Sequence, residues 1–407
     1  MQGYLKALSS CHRVAARQRP RRHDVAAVSV VSGMPRLIAL IAPQSQKLVE
    51  RVRKAWDAGD AITLLDPGLP GPYLSALIEA IDPDVVEEPS GSSTHHRRYQ
   101  LPEDTALVIT TSGTSGPPKA VVHTHAAMRA SALATGERLG VVRGEGQWLC
   151  ALPLTHIGGF SSITKAMYQG LDLQVFERFE REAVESAARQ RRSYIPVVRA
   201  NLARMDPSLF ERIVLGAGVP PAEIPPNAHV TYGLTETGSG LVYDGTPLPG
   251  AEISIAPDGE ILLRGPMLAT CDRDGSPLLG ADGWFHTDDA GTYREGRLQV
   301  FGRRGDVINS GGERILPHQV EAIIERLPGV AEVAVVGVRD ERLGQVAWAV
   351  VVPTVGSEAP SLEAIKEAVR AELPRYCAPR GLQVAASLPK TPLGKIQKAL
   401  LRAELPH

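Results

Sequence analysis

The sequence predicts an α/β protein with a large N-terminal part and a smaller C-terminal one. Three observations carry that prediction. Short apolar runs alternate with helical stretches from Arg36 to about Leu215, the order expected of a mostly parallel sheet covered by helices. After Gly245 the texture changes to strands punctuated by Gly and Asp, a β-rich subdomain. After Gly305 a small α+β unit follows. The length of 407 residues agrees, since it allows roughly two to three domains of about 150 residues each.

Taken in order, residues 37–42 read as a buried strand. The helix 45–58 places Leu48, Val52 and Trp56 four residues apart on one face. Residues 61–65 are the next strand, ended by Asp66-Pro67-Gly68. The segment 90–98 is polar throughout and reads as a loose loop. Residues 106–109, 148–152, 173–176 and 213–215 are short apolar strands, and 252–255, 260–264 and 297–301 are the punctuated ones. The last unit reads as helix 318–326, strands 331–338 and 346–352, helix 362–373, strand 382–385, a polar loop and a short terminal helix. The expected boundary lies at Arg304-Gly305-Asp306, giving a large domain over 34–304 and a small one over 305–407. Residues 1–33 carry six basic residues and no acid before Asp24, and read as a basic tail or an upstream start, with Met34 as an alternative start.

Composition removes several classes. Hydrophobic residues make up 43% and charged residues 22%, which excludes disorder, collagen-like repeats and a disulfide scaffold as the main architecture. Lys plus Arg total 44 against 45 Asp plus Glu, a net charge of -1. That balance gives no bulk case for nucleic acid or a membrane surface. No apolar run reaches the roughly 20 residues of a membrane span. Cys11, Cys150, Cys271 and Cys377 are scattered without a CxxC pair, so neither a zinc site nor a disulfide framework is expected, and a cytoplasmic location fits. Only nine residues are Lys, which makes each one worth locating.

The strongest local signal is Thr110-Thr111-Ser112-Gly113-Thr114-Ser115-Gly116-Pro117-Pro118-Lys119. Glycines let backbone N–H groups approach an anion, hydroxyls donate hydrogen bonds, and Lys adds a point charge. This describes a phosphate cradle, without the Walker spacing. The segment resembles the phosphate loop of the adenylate-forming superfamily, which holds acyl-CoA synthetases, nonribosomal-peptide adenylation domains and luciferases. Further resemblances follow in the family's order. They are Leu152-Pro153-Leu154-Thr155-His156-Ile157-Gly158-Gly159, Leu215-Gly216-Ala217-Gly218, Thr231-Tyr232-Gly233-Leu234-Thr235-Glu236-Thr237, Gly283-Trp284-Phe285-His286-Thr287-Asp288-Asp289, Gly302-Arg303-Arg304-Gly305-Asp306 and Leu388-Pro389-Lys390-Thr391-Pro392-Leu393-Gly394-Lys395.

The resemblance implies a large domain with a mobile lid, using ATP, Mg²⁺ and CoA. Adenylation joins a carboxylate to the ATP α-phosphate, so both reactants are anionic and the site must neutralise developing charge. Lys119, Thr111, Ser112, Gly113 and Thr114 are implied to hold the β- and γ-phosphates. Gly216, Ala217 and Gly218 would lie along adenine and Tyr232 would stack on it. Asp289 would take the ribose hydroxyls, helped by Arg303. Thr235 would reach the α-phosphate, and Glu236 would hold Mg²⁺. Gly233 would lie beside both ATP and the acid, with His156 gating the acyl pocket. Lys395 would bridge the carboxylate and phosphate as they react. Gly305 stands at the hinge, where the family usually has Asp or Lys. Gly311 and Gly312, in Ser310-Gly311-Gly312-Glu313, resemble the loop beside the CoA tunnel.

Plainer readings stand beside these. Tyr232 could be a core aromatic, Glu236 a helix-capping acid and His156 a capping or core histidine. Asp288 adjoins Asp289, and the family's Thr-Gly-Asp pattern selects Asp289. Lys395 shares its neighbourhood with Lys390 and Lys398, an ordinary basic face.

The compact plan is similar to the actinobacterial o-succinylbenzoate–CoA ligases of menaquinone biosynthesis. Lys165, nine residues after His156, resembles the basic position that anchors the substrate's second carboxylate there. Alternatively Ser161, Ser162, Lys165 and Gln169 form one polar helical stripe facing solvent. Another aryl- or fatty-acyl-CoA ligase, an amide-forming adenylating enzyme, and a nucleotide-binding module without catalysis stay open. The expected partners are a small carboxylic acid, ATP and CoA, with no nucleic acid and no membrane span. A homodimer is left open.

Overall fold

The computed structural model describes residues 34–405 except 96, 112–118, 217, 219, 222 and 391–395. The basic segment 1–33 therefore lies outside the described residues, as do Ser112, Gly113, Thr114, Ala217 and Lys395. Among the described residues the strands form four sheets.

The first is a mixed sheet around Leu37–Ile41, whose five residues are all buried. Ala61–Leu65 and Val85–Glu88 flank it in parallel, and Thr105–Thr111 continues the parallel side. Lys119–Thr124 then returns antiparallel to Thr105–Thr111. The second sheet has five neighbouring parallel strands, Asp172–Val175, Gln147–Cys150, Ser193–Val197, Arg212–Leu215 and Ala228–Tyr232. Uninterrupted runs suit the central strands Leu37–Ile41, Ala61–Leu65, Gln147–Cys150 and Ser193–Val197, every residue of which is buried.

The helix His125–Leu139 packs on the first sheet and Ile157–Gln169 on the second, and the two helices pack on each other. Trp56, Trp148 and Phe160 lie in the resulting core. Being covered on opposite sides, Ile157–Gln169 buries Ser161, Ser162, Lys165 and Gln169 along with its apolar residues. The solvent-facing stripe is thereby excluded.

A third sheet is antiparallel throughout, from Glu252–Ile255 through Glu260–Arg264 and Phe285–Arg294 to Arg297–Arg303. The fourth is built from residues after 307, with Gly344–Pro353 at its centre and Val330–Asp340 paired along one side of it. Its apolar clusters draw only on Ile308 and later residues. Between the two sets lies the short turn Arg304–Asp306. Arg304 pairs with Asp258, and Asp306 pairs with Arg402 on the last helix. Each neighbour of Gly305 is thus tied to a different body.

One sequence expectation fails here. Gly91–Thr94, read as a loose loop, is a strand antiparallel to Val85–Glu88. All four of its residues are exposed. An edge strand can be held by backbone pairing alone, so no apolar pattern announces it.

Candidate active site

Thr111 ends the strand Thr105–Thr111, and Lys119 opens the returning one. The two are cross-strand partners. They flank the Ser/Thr/Gly segment in the sequence, and Lys119 is exposed.

Nearby, the strand Ala228–Tyr232 runs into Gly233. A Cβ on Gly233 would come within 2.2 Å of the Ser239 carbonyl oxygen, so only glycine allows this approach. The chain then forms the turn Thr235–Thr237, which is pinned from several directions. The Leu234 N–H donates to Thr237 Oγ1 at 2.8 Å. The Ala269 N–H donates to the Glu236 carbonyl at 2.7 Å. His123 Nε2 lies 2.8 Å from the Thr235 carbonyl oxygen and donates to it.

His123 was not among the sequence candidates. It is fully buried, and burial pushes its pKa down to about 4, so the ring is neutral. The signal was available: it lies four residues after Lys119 on one strand, hence on the same face.

Glu236 does not serve as a cap, since Leu234 is the N-cap of its turn. Burial raises its carboxyl above the usual range, Asp272 and Asp289 add to the rise, and Arg303 opposes it. Among the described residues, no group of three His, Cys, Asp or Glu could hold a metal ion. A cation here would rely on Glu236 plus oxygens from a ligand, the usual arrangement for Mg²⁺ with phosphates.

The third sheet supplies the next group. Asp288 is an exposed acid with a left-handed backbone (φ 58°). Asp289 is buried and sits opposite Arg303 in the strand register. Tyr232 donates its hydroxyl to Asp289 Oδ2 at 2.9 Å, and Arg303 Nε lies 3.3 Å from Asp289 Oδ1. Arg303 also donates to the Thr287 carbonyl at 2.8 Å. Burial, with the Asp289 charge beside it, pushes the Tyr232 phenol well above its ordinary value. Gly216 follows the neighbouring strand Arg212–Leu215, and Gly218 has φ 103°.

His156 is the N-cap residue of Ile157–Gln169, yet its side chain makes no cap hydrogen bond. Its pKa is lowered by burial. Two turns along, Lys165 is 2% exposed. Its Nζ donates to Ser161 Oγ at 3.1 Å and lies 5.3 Å from the centre of the Trp148 ring. No acid among the described residues forms an ion pair with it. Burial therefore brings its pKa down to about 8. The Ser162 and Tyr194 hydroxyls are also buried without a hydrogen-bond partner among the described residues.

In the C-terminal unit, Gly311 and Gly312 have φ 61° and 89°. Ser310, Gly311, Lys366, Arg370, Arg375 and Arg380 help line a groove of about 600 Å³. Lys390 and Lys398 pair with Glu332 at 2.7 Å and Glu321 at 2.6 Å. Both thus have structural acids of their own. A Cβ on Gly305 would meet none of the described residues within 4 Å.

Comparison with known proteins gives one consistent picture. The model of the AMP-binding enzyme family matches residues 14–271, and that of the AMP-binding enzyme C-terminal domain matches 319–395. A probable 2-succinylbenzoate–CoA ligase of Mycobacterium tuberculosis is 36% identical over 378 residues, 84% of this chain and 96% of that protein. A 2-succinylbenzoate–CoA ligase of Listeria monocytogenes is 34% identical over 330 residues, 73% of this chain and 69% of that one. The o-succinylbenzoate CoA synthetase of Bacillus subtilis, solved with its acyl-adenylate intermediate, superposes with a TM-score of 0.78 at 25% identity, covering 91% of this chain and 89% of that one.

Proposed function

The chain belongs to the AMP-binding enzyme family, and we propose that it adenylates o-succinylbenzoate with ATP and then transfers the acyl group to CoA. The observation that carries the substrate is Lys165. A buried ammonium with no acid to pair with is costly. A dianionic acid, activated at one carboxylate, would bring the missing charge with the other. A fatty acid would leave the ammonium unpaired, so the same group that attracts one substrate rejects the other. The 2-succinylbenzoate ligases among its relatives support this reading.

In the first half-reaction a carboxylate oxygen of the acid bonds to the α-phosphorus. The bond to the bridging oxygen breaks, and pyrophosphate leaves. Lys119 and Thr111, with Ser112, Gly113 and Thr114, hold the leaving phosphates. Asp289 takes the ribose hydroxyls while Tyr232 and Arg303 fix its two oxygens. Tyr232 lies against adenine, with Gly216, Ala217, Gly218 and Gly233 forming the backbone around it. Thr235 reaches the α-phosphate. Glu236 is the carboxylate that would hold Mg²⁺, which neutralises phosphate charge when bound. A magnesium ion with ATP is present in a structure of the Bacillus subtilis synthetase. Lys395 steadies the charge shared by carboxylate and phosphate. His156, neutral at the entrance of Ile157–Gln169, borders the acyl group.

In the second half-reaction the CoA sulfur attacks the acyl carbon, the thiol proton is lost, and AMP leaves. Rotation about Gly305 brings Gly311 and Gly312 to the adenylate. The cations of the groove beside Gly311 suit the phosphates of CoA. With no helix of the described residues long and apolar enough to cross a membrane, a cytoplasmic enzyme fits.

A panel of acids, scored for AMP release with and without CoA, tests the reading. Release confined to o-succinylbenzoate, with thioester formed only when CoA is present, is expected. Equal turnover of a simple aryl or fatty acid would replace it with a broader acyl-CoA ligase, and release unaffected by CoA with every acid would remove CoA as the acceptor.

A further inference from the structure

Resting on the functional reading above, we propose that His123 is a positioning residue for Glu236, holding the turn Thr235–Thr237 in register with Lys119. The ring is fully buried, and Nε2 donates to the Thr235 carbonyl across 112 residues of sequence at 2.8 Å. Its other nitrogen, Nδ1, has no hydrogen-bond partner among the described residues. Such a half-satisfied imidazole is an expensive way to fill a core position, since a buried polar atom left unpaired loses its hydration with nothing in return. The preceding residues of the same strand, Val121 and Val122, are apolar and equally buried. Packing alone would be served by a third such residue.

What the histidine adds is a tie between two parts of the site. Lys119 and His123 point to the same side of one strand. The bond to Thr235 makes that strand a ruler between the cation and the carboxylate. The Ala269 N–H fixes the Glu236 carbonyl from another direction. Gly238, with φ 71°, closes the turn directly over His123: a Cβ there would lie 3.7 Å from the ring's Cε1. The turn that carries Glu236 is thus held on both sides, by His123 at Thr235 and by Ala269 at Glu236 itself.

The test is equilibrium binding by calorimetry, which needs no acid substrate. Wild type, His123→Leu and His123→Gln are titrated with MgATP, with ATP in EDTA, and with AMP. Loss of one buried hydrogen bond on the positioning path is expected to weaken MgATP binding by about tenfold in His123→Leu. AMP and metal-free ATP, which do not use Glu236 through a metal, are expected to keep their affinities. His123→Gln retains an N–H at the reach of Nε2 and is expected to restore most of the MgATP affinity. If the Leu variant does not fold, His123→Asn, too short to reach Thr235, takes its place with the same expectation. Unchanged MgATP binding in the Leu or Asn variant overturns the proposal. So does parallel loss of AMP binding, the mark of a merely structural role. If wild type binds no MgATP, the functional reading falls and takes this inference with it. If wild type is active and only the His123 variants behave unexpectedly, the inference alone falls.

Discussion

The hydroxyl of Tyr232 donates to Asp289 at 2.9 Å. The bond joins the second sheet to the third and leaves Arg303, at 3.3 Å, to steady the other carboxylate oxygen. A residue assigned to adenine and one assigned to ribose are thus mechanically one unit. Replacing the tyrosine by phenylalanine separates the two contributions, because the ring stays and the bond goes.

For Tyr232→Phe, the KM for ATP is expected to rise about tenfold or more, the worth of one hydrogen bond to a charged group, with kcat little changed. Steady-state kinetics with varied ATP checks it. An unchanged KM would show that Arg303 alone suffices to fix Asp289.

Lys165 offers a test in which function and stability move in opposite directions. Lys165→Met removes a buried cation and keeps an unbranched apolar chain. The KM for o-succinylbenzoate is expected to rise by about two orders of magnitude, the cost of leaving a bound carboxylate unpaired, while the KM for ATP stays put. Stability to urea is expected to rise, since uncompensated buried charge is costly. A less stable variant with normal acid affinity would show that the lysine is structural.

The same lysine predicts two effects of pH. Burial brings its pKa from 10.5 to about 8. The charged form binds a carboxylate, so kcat/KM for the acid is expected to fall as pH rises through about 8, and Lys165→Arg should remove that step. Stability runs the other way. Between about 8 and 10.5 the unfolded chain holds a proton that the folded one has released, so this group makes folding more favourable as pH climbs through that window. Unfolding curves at several pH values, with Lys165→Met as the control lacking this component, check the sign.

The hinge and the terminal lysine should divide the two half-reactions. No described residue occupies the space where a Gly305 Cβ would point, so Gly305→Ala is expected to leave the melting temperature unchanged. Gly305→Pro, which fixes φ, should slow thioester formation from preformed acyl-adenylate by at least about tenfold and spare adenylation. Lys395→Ala should do the reverse. Rapid-quench assays of each half-reaction decide, and equal loss of both in either variant would contradict the division.

Much of the candidate site was legible because its residues lie in short contiguous motifs. Gly233 had to be glycine to approach Ser239, and Asp289 rather than Asp288 was singled out by the family's Thr-Gly-Asp pattern, which sets Asp288 against the glycine. The structure agrees on burial: Asp289 is enclosed and Asp288 exposed. His123 was missed because no motif marks it. Its partner lies far along the chain, and strand parity linked it only to Lys119.

What the sequence determined by itself was the alternation of strands with helices, the change to a β-rich texture after Gly245, the family resemblance and the set of residues available for chemistry. The tertiary structure decided which of them are enclosed. Ser161, Ser162, Lys165 and Gln169 share a helical stripe under either reading, because spacing fixes a face but not what lies against it. Only the packing of Ile157–Gln169 between a sheet and a second helix turns that stripe inward. Water is then removed from the ammonium, and a charge that would be ordinary on the surface comes to require an anion.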